Sequence, residues 1–293
     1  MDAQGGDPAE EGEMPGRRGG AVRAAAAPQP TGLAPTVGGG RVRVSVCLAA
    51  YNGATYIEEQ LRSILEQLGP ADELIVSDDH STDQTLQIVR QVGDPRVRII
   101  THESNLGYTK NFEAALSEAT GEYIFLSDQD DVWLPGKVTK SLLALEYSDL
   151  AISDCRTTDS SLSILSESRF EDFGIKTGFF RHIVRTRYLG CCMAMRSEIL
   201  PAVLPLPARA DLVEHDTWIS AIGECYFRVE LIREPLVLYR RHGANTSLGG
   251  FDKGYSIANK LVRRVYRLAC LLGRWRVSLG IARHARGSSG GRK

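Results

Sequence analysis

Between Val42 and Leu126 four short apolar runs alternate with stretches whose apolar residues recur every three or four positions, and nothing else constrains the chain as strongly. The first run, Val42 to Ala50, is almost continuously apolar between Gly40 and Asn52-Gly53, as expected of a strand buried on both faces. Ile57, Leu61, Ile64, Leu65 and Leu68 then share one helical face opposite Glu58, Glu59 and Arg62, until Gly69-Pro70 stops the helix. The pattern repeats through a strand at Glu73–Ser77, a helix carrying Leu86 and Val89, and a strand at Val97–Ile100. A helix from about Thr109 presents Phe112, Ala115 and Leu116, and Tyr123–Leu126 is the fourth strand. Such alternation implies parallel strands joined by right-handed crossovers, an open, mainly parallel α/β sheet flanked by helices.

The 293 residues, 43% hydrophobic and 24% charged, are enough for one substantial core. A formal net charge of −1 gives no overall attraction to nucleic acid, which is not an expected partner. Residues 1–40 are rich in Gly, Ala and Pro without bulky apolar stretches, which predicts a disordered segment. Asp2, Asp7, Glu10 and Glu11 at the start argue against a secretory leader. The six cysteines include no Cys-x-x-Cys pair and several sit in apolar runs, as reduced thiols of a cytoplasmic protein do.

In open α/β sheets ligands bind beyond the carboxyl ends of the strands, and those positions here are acidic. Asp78 and Asp79 follow the second strand, and Asp128, Asp130 and Asp131 follow the fourth. Crowded carboxylates raise one another's pKa unless something positive sits among them. An all-oxygen set favours Mg²⁺ or Mn²⁺, held jointly with substrate phosphates. Helix caps or Asx turns are the alternative use, and Asp78 and Asp83 fit it. Three carboxylates within Ser127-Asp128-Gln129-Asp130-Asp131 exceed what capping requires.

Three segments, Val44–Gly53, Glu73–Asp83 and Gly121–Asp131, resemble successive signatures of family-2 inverting glycosyltransferases of the GT-A fold, and the likeness extends over about residues 42–245. The later sequence is similar to the rhamnosyltransferase branch that acts on bacterial surface polysaccharides. The resemblance implies a catalytic domain over 41–250, with a nucleotide-sugar-binding half at 41–135 and an acceptor half at 136–250. It implies that Tyr51, Asn52 and Asp79 contact the nucleotide base, that Asp128 reaches the ribose, and that Asp130 holds the metal. The donor would be a dTDP-, UDP- or GDP-sugar and the acceptor a glycan or lipid-linked hydroxyl, at the inner face of the plasma membrane.

Glu214-His215-Asp216-Thr217-Trp218 resembles the segment from which the family draws its general base, which assigns that role to Asp216; a plain helix cap is the alternative. His215 and Trp218 are candidates for the sugar pocket, with Trp218 equally at home in a core. Tyr188–Met195 reads as a buried strand, with Gly190 where the family brings backbone close to the donor. Leu236–Tyr239 is a strand ending in Arg240-Arg241-His242-Gly243-Ala244-Asn245, similar to the family's closing motif. Arg240 or Arg241 would face the diphosphate and His242 would join Asp130 at the metal, a solvated basic turn being the alternative. The Gln-x-x-Arg-Trp motif of processive synthases is absent, which implies single-sugar addition.

No acidic residue follows Asp252, and residues 251–293 read as a basic amphipathic helix and tail. Such a helix either lies on an anionic membrane or packs on the catalytic domain with a solvated basic face. Two other functions share parts of the pattern. An aspartyl-nucleophile phosphatase also uses Asp-x-Asp after a strand, here Asp128 and Asp130, but places it after its first strand. A catalytically silent nucleotide-sugar-binding module would keep the architecture without turnover.

Overall fold

The computed structural model describes residues 43–184, 187–243 and 256–289. The 1–40 segment and Ala244-Asn245 of the closing motif lie outside them. The first half follows the sequence pattern closely: β1 (Val44–Ala50), α1 (Ile57–Leu65), β2 (Glu73–Asp78), α2 (Thr85–Val92), β3 (Val97–Thr101), α3 (Tyr108–Ser117) and β4 (Tyr123–Asp128). β1 pairs in parallel with both β2 and β4, and β2 with β3. The strand order β3-β2-β1-β4 reverses between β1 and β4, so a crevice opens beyond their carboxyl ends.

Burial explains why these elements form. β1 and β2 bury nearly every side chain because helices cover both faces. α1 turns Ile57, Leu61, Ile64 and Leu65 inward and leaves Glu58 with Arg62 as an exposed i,i+4 pair. Leu61 and Ile64 are fully buried, and truncating either to alanine would cost about 2–5 kcal/mol.

The second half is less regular. It runs through β5 (Val132–Trp133), α4 (Lys137–Leu145), β6 (Leu150–Thr158), β7 (Ile164–Ser166), α5 (Arg169–Phe173), α6 (Phe179–Val184), β8 (Met193–Arg196), α7 (Leu200–Val203), α8 (His215–Tyr226) and β9 (Val229–Arg240). The order β4-β8-β6-β9-β5 extends the parallel sheet into a mixed one, with β8 antiparallel to both β4 and β6 and with β7 beside β6.

The strand expected over Tyr188–Met195 is corrected. Gly190–Cys192 form a 3₁₀ turn and pairing begins only at Met193. The apolar character is accounted for by burial of the turn itself, with Cys191 fully enclosed. The last element, α9 (Ile257–Ser289), packs on α7 and α8.

Candidate functional site: an acid-lined cavity at the strand switch

A cavity of about 670 Å³ lies where β1 and β4 end, within the range of small-molecule sites. Its first wall is the loop after β1. Asn52 adopts φ 48°, a left-handed conformation that asparagine tolerates, and accepts a hydrogen bond from Thr82 N at 2.8 Å while donating its own N–H to Ser81 Oγ at 2.9 Å. Tyr51 N–H donates to Gln129 Oε1 at 2.8 Å, and Gln129 Nε2 returns a bond to Tyr51 O at 2.9 Å. Gly53 makes this approach feasible, because a Cβ there would lie 2.1 Å from Gln129 Oε1.

Asp79 lines the cavity while its two carboxylate oxygens accept the N–H groups of Leu106 and Gly107, at 2.6 and 2.8 Å. It therefore fixes the loop ahead of α3. Asp78 accepts Ser81 N–H at 2.9 Å, the turn-forming use its position allows. Asp83 caps locally, accepting the Thr85 N–H and hydroxyl.

The run after β4 supplies the floor. Asp128, Gln129, Asp130 and His242 line the cavity, and His242 Nε2 lies 2.8 Å from Asp130 Oδ2. Asp131 sits behind them, fully buried, accepting Arg240 N–H at 3.0 Å through one oxygen while the other has no hydrogen-bond partner. Protein walls that exclude bulk water, together with the neighbouring charges of Asp130 and Asp216, push the Asp128 carboxyl up to about 8; the Cys191 thiol, hydrogen-bonded to it, offsets part of this.

Arg240 and Arg241 do not line the cavity. The guanidinium of Arg240 is buried behind the floor, where it bonds Asp130 O at 2.8 Å, Ser160 O at 2.9 Å and the Glu59 carboxylate, and it stacks over Tyr56 with its carbon 4.5 Å from the ring centroid. It ties the acidic run to α1. Arg241 continues the sheet with its N–H on Thr158 O at 2.8 Å, its side chain half-buried.

The opposite wall is the N-terminus of α8. Glu214, His215 and Asp216 all face the cavity, with Tyr108 from α3 and Gly190 from the 3₁₀ turn beside them. Asp216 accepts the Thr217 N–H at 2.5 Å, and desolvation and the charge of Glu214 raise its carboxyl to about 7. His215 stacks on Phe112 at 4.1 Å between centroids, edge-on to Tyr108, and neither ring nitrogen has a hydrogen-bond partner. Burial lowers its pKa to about 3, so the imidazole is neutral. A Cβ on Gly190 would come within 2.7 Å of His215 Nε2, so the turn packs directly against the ring. Trp218 is core, its indole N–H bonded to Val203 O at 2.8 Å.

Gln129, Glu59, Tyr108 and Glu214 carry parts of this site that residue-by-residue reading passed over. Gln129 stood between two noticed aspartates, and its signal was its position in the run.

The donor set fits a hard divalent cation. Asp128 and Asp130 offer oxygens to the cavity with His242 next to Asp130, and the burial and neighbouring charge that raise Asp128 are what a cation would offset. Ligand atoms of Asp128, Asp131 and Cys191 also lie within 4.8 Å of one another. Asp131 and Cys191 are fully buried and away from the cavity wall, so the Asp128–Asp130 edge is where a cation could share a substrate phosphate.

Comparison with known proteins identifies the family and the fold. The chain is 30% identical over 204 residues to the Bacillus subtilis protein named for teichuronic acid biosynthesis, TuaG, covering 67% of this chain and 78% of that one. It is 29% identical to the dTDP-rhamnosyl transferase RfbG of Shigella flexneri, covering 68% of this chain and 75% of that one. Two solved structures share the GT-A fold. Staphylococcus aureus TarS 1-349 in complex with UDP-GlcNAc superposes with a TM-score of 0.54 at 19% identity, over 79% of this chain and 72% of that one. The Pyrobaculum calidifontis mannosyltransferase in complex with GDP-Man and Mn²⁺ also gives 0.54, at 20% identity over 87% and 77%. The sequence profile of glycosyl transferase family 2 matches residues 45–204, the stretch that builds the crevice and its acidic floor, and the chain belongs to that family.

Proposed function

We propose that this family 2 glycosyltransferase moves one sugar, with inversion, from a metal-bound nucleotide-sugar to a hydroxyl of a glycan or lipid-linked acceptor in cell-surface polysaccharide synthesis. The observation that carries the reading is Asp216, a carboxylate raised to about 7, lining the same cavity as the Asp128–Asp130–His242 edge. A base near neutrality removes a hydroxyl proton efficiently, and here it acts from the wall facing the acidic floor. Tyr51, Asn52 and Asp79 frame the end of the cavity suited to the base, with Asp128 at the ribose. Arg240 supports the floor from behind.

Mg²⁺ or Mn²⁺ held by Asp130, with His242 beside it, would neutralise the departing diphosphate. His215, neutral and stacked on Phe112, packs behind the Gly190 turn and shapes the wall that carries Asp216. Rhamnose is supported by the likeness to RfbG, and a surface polymer by the likeness to TuaG. A reducing compartment is supported by six free cysteines. Among the described residues, no helix is long and apolar enough to cross a membrane.

The test is transfer from dTDP-rhamnose, UDP-glucose and GDP-mannose with Mn²⁺ to a lipid-diphosphate-linked sugar. Nucleoside diphosphate release should occur with one donor, and the product should show the anomeric configuration opposite to that donor's. Retention of configuration would remove Asp216 from the role of base.

A further inference from the structure

The C-terminal helix α9 packs on the domain through Leu271, Ala282, Tyr266 and Cys270 together with Arg267 and Ser278, and carries a second apolar stripe that the domain leaves exposed. Surface helices ordinarily turn apolar residues inward and arginines outward. In α9 Ile257, Leu261, Val265, Leu268, Leu272 and Trp275 fall within about 80° of one another around the axis and are all exposed, Val265 by 58% and Leu272 by 70%. The buried face, with Arg267, Leu271 and Ser278, lies about 100° away around the axis.

Backbone carbonyls help fix this orientation. Arg263 bonds Asp211 O, Arg264 bonds Val184 O at 2.7 Å, Arg267 bonds Ile183 O at 2.6 Å, and Arg274 bonds Leu204 O and Pro205 O at 2.7 and 2.5 Å. The guanidinium groups satisfy carbonyls at the ends of α6, α7 and the following loop, and this anchors the helix with its apolar stripe outward. Arg264 and Arg267 also hold the end of α6 alongside, and that helix adds exposed Phe180 and Val184.

Charge selects the occupant. Arg276 flanks the stripe, Lys260 and Arg264 stand at its border, and no acidic residue follows Asp252. A second copy of the helix would set arginine against arginine without a carboxylate between them. An anionic lipid surface meets both the apolar stripe and its basic margin. We propose that α9, with the exposed edge of α6, seats the enzyme in the plane of an anionic membrane through this outward apolar stripe.

The location gives the contact a use. Tyr226 of α8 donates its hydroxyl to Leu271 O at 2.6 Å, and Arg263 approaches Glu214, a cavity residue, at 3.9 Å. The seat is thus beside the wall that carries Asp216, where a lipid-linked acceptor would arrive. This use rests on the lipid-linked acceptor reading, whereas vesicle binding is measured without turnover and stands or falls separately.

The experiment is flotation of the full chain with phosphatidylcholine vesicles, with and without phosphatidylglycerol. The protein should float with the anionic vesicles and remain largely free of the neutral ones. The Val265→Glu/Leu272→Glu double variant, altered only at exposed positions, should lose at least tenfold in vesicle affinity while keeping its melting temperature. Arg276→Ala should weaken it about fivefold. Undiminished flotation of the double variant overturns the proposal. So does a wild-type chain that ignores anionic vesicles yet forms a concentration-dependent dimer which the same substitutions abolish.

Discussion

The two edges of the parallel sheet bury acids in opposite ways. At the edge where the strands begin, Glu73 is 5% exposed and accepts hydrogen bonds from Ser45 Oγ at 2.6 Å, Thr120 N at 2.9 Å, Thr120 Oγ1 at 2.6 Å and Arg98 Nη1 at 2.8 Å. Desolvation pushes its pKa upward, but these donors outweigh it and hold the carboxyl at about 2. At the edge where the strands end, Asp128 and Asp216 stand near 8 and 7. A buried carboxylate whose donors are all internal is part of the scaffold. One whose charge the fold leaves uncompensated is set up for a cation or a proton from outside.

Mutation at the two edges should separate these roles. The largest effect is expected from Asp216→Asn, which should lower kcat by about 10³-fold while leaving donor affinity, read by calorimetry, within a factor of three. Normal turnover would remove the residue from the chemistry. Glu73→Gln should do the reverse, costing about 1–3 kcal/mol of stability in urea unfolding through its unpaired donors, with kcat little changed. His215→Ala should lower kcat/KM about tenfold and also cost about 2–4 kcal/mol of stability, because it removes a buried ring stacked on Phe112. An unchanged kcat/KM in the folded variant would instead make His215 a packing residue only.

The smallest effect is a pH dependence. Asp128 and Asp216 have folded pKa values above the ordinary carboxylate range, so their protonated forms stabilise the metal-free fold at low pH, and this contribution is lost as pH rises through about 7 and 8. Glu73 runs the other way, its contribution present above the ordinary value and lost only as pH falls through about 2. A cation on Asp130 disfavours the proton on neighbouring Asp128, so the rise in melting temperature produced by Mn²⁺ should be several degrees larger at pH 8 than at pH 6. An equal shift at both would break the distinction between the edges.

The beginning of the chain was legible because parallel strands covered on both faces read as unbroken apolar runs, and β1 to β4 matched that expectation in place and order. β6 was not visible, because Ser153, Asp154 and Arg156 interrupt its apolar pattern, although Ser153 and Asp154 are buried. Gly190–Cys192 passed for strand because burial alone, without alternation, does not distinguish a turn from an extended segment. Within the site, aspartates could be counted but their partners could not. Gln129 meets Tyr51 across 78 residues and Arg240 meets Glu59 across 181. The orientation of α9 was invisible for the same reason. The packing alternative for that helix assumed solvated arginines, whereas the carbonyls that draw several of them inward belong to distant segments.

Gln129 has one further consequence. The last backbone pair of the β1–β4 ladder is Ala49 with Asp128, and one step on the Gln129 side chain both donates to and accepts from the Tyr51 peptide. Its amide serves as a surrogate peptide group, adding a final rung after the main chains have parted. Only a primary amide of this length can do so: glutamate lacks the donor and would add another negative charge between Asp128 and Asp130, and asparagine is one methylene short. Residue choice at the centre of the acidic run is therefore set by the loop it splints as much as by the ligand it faces.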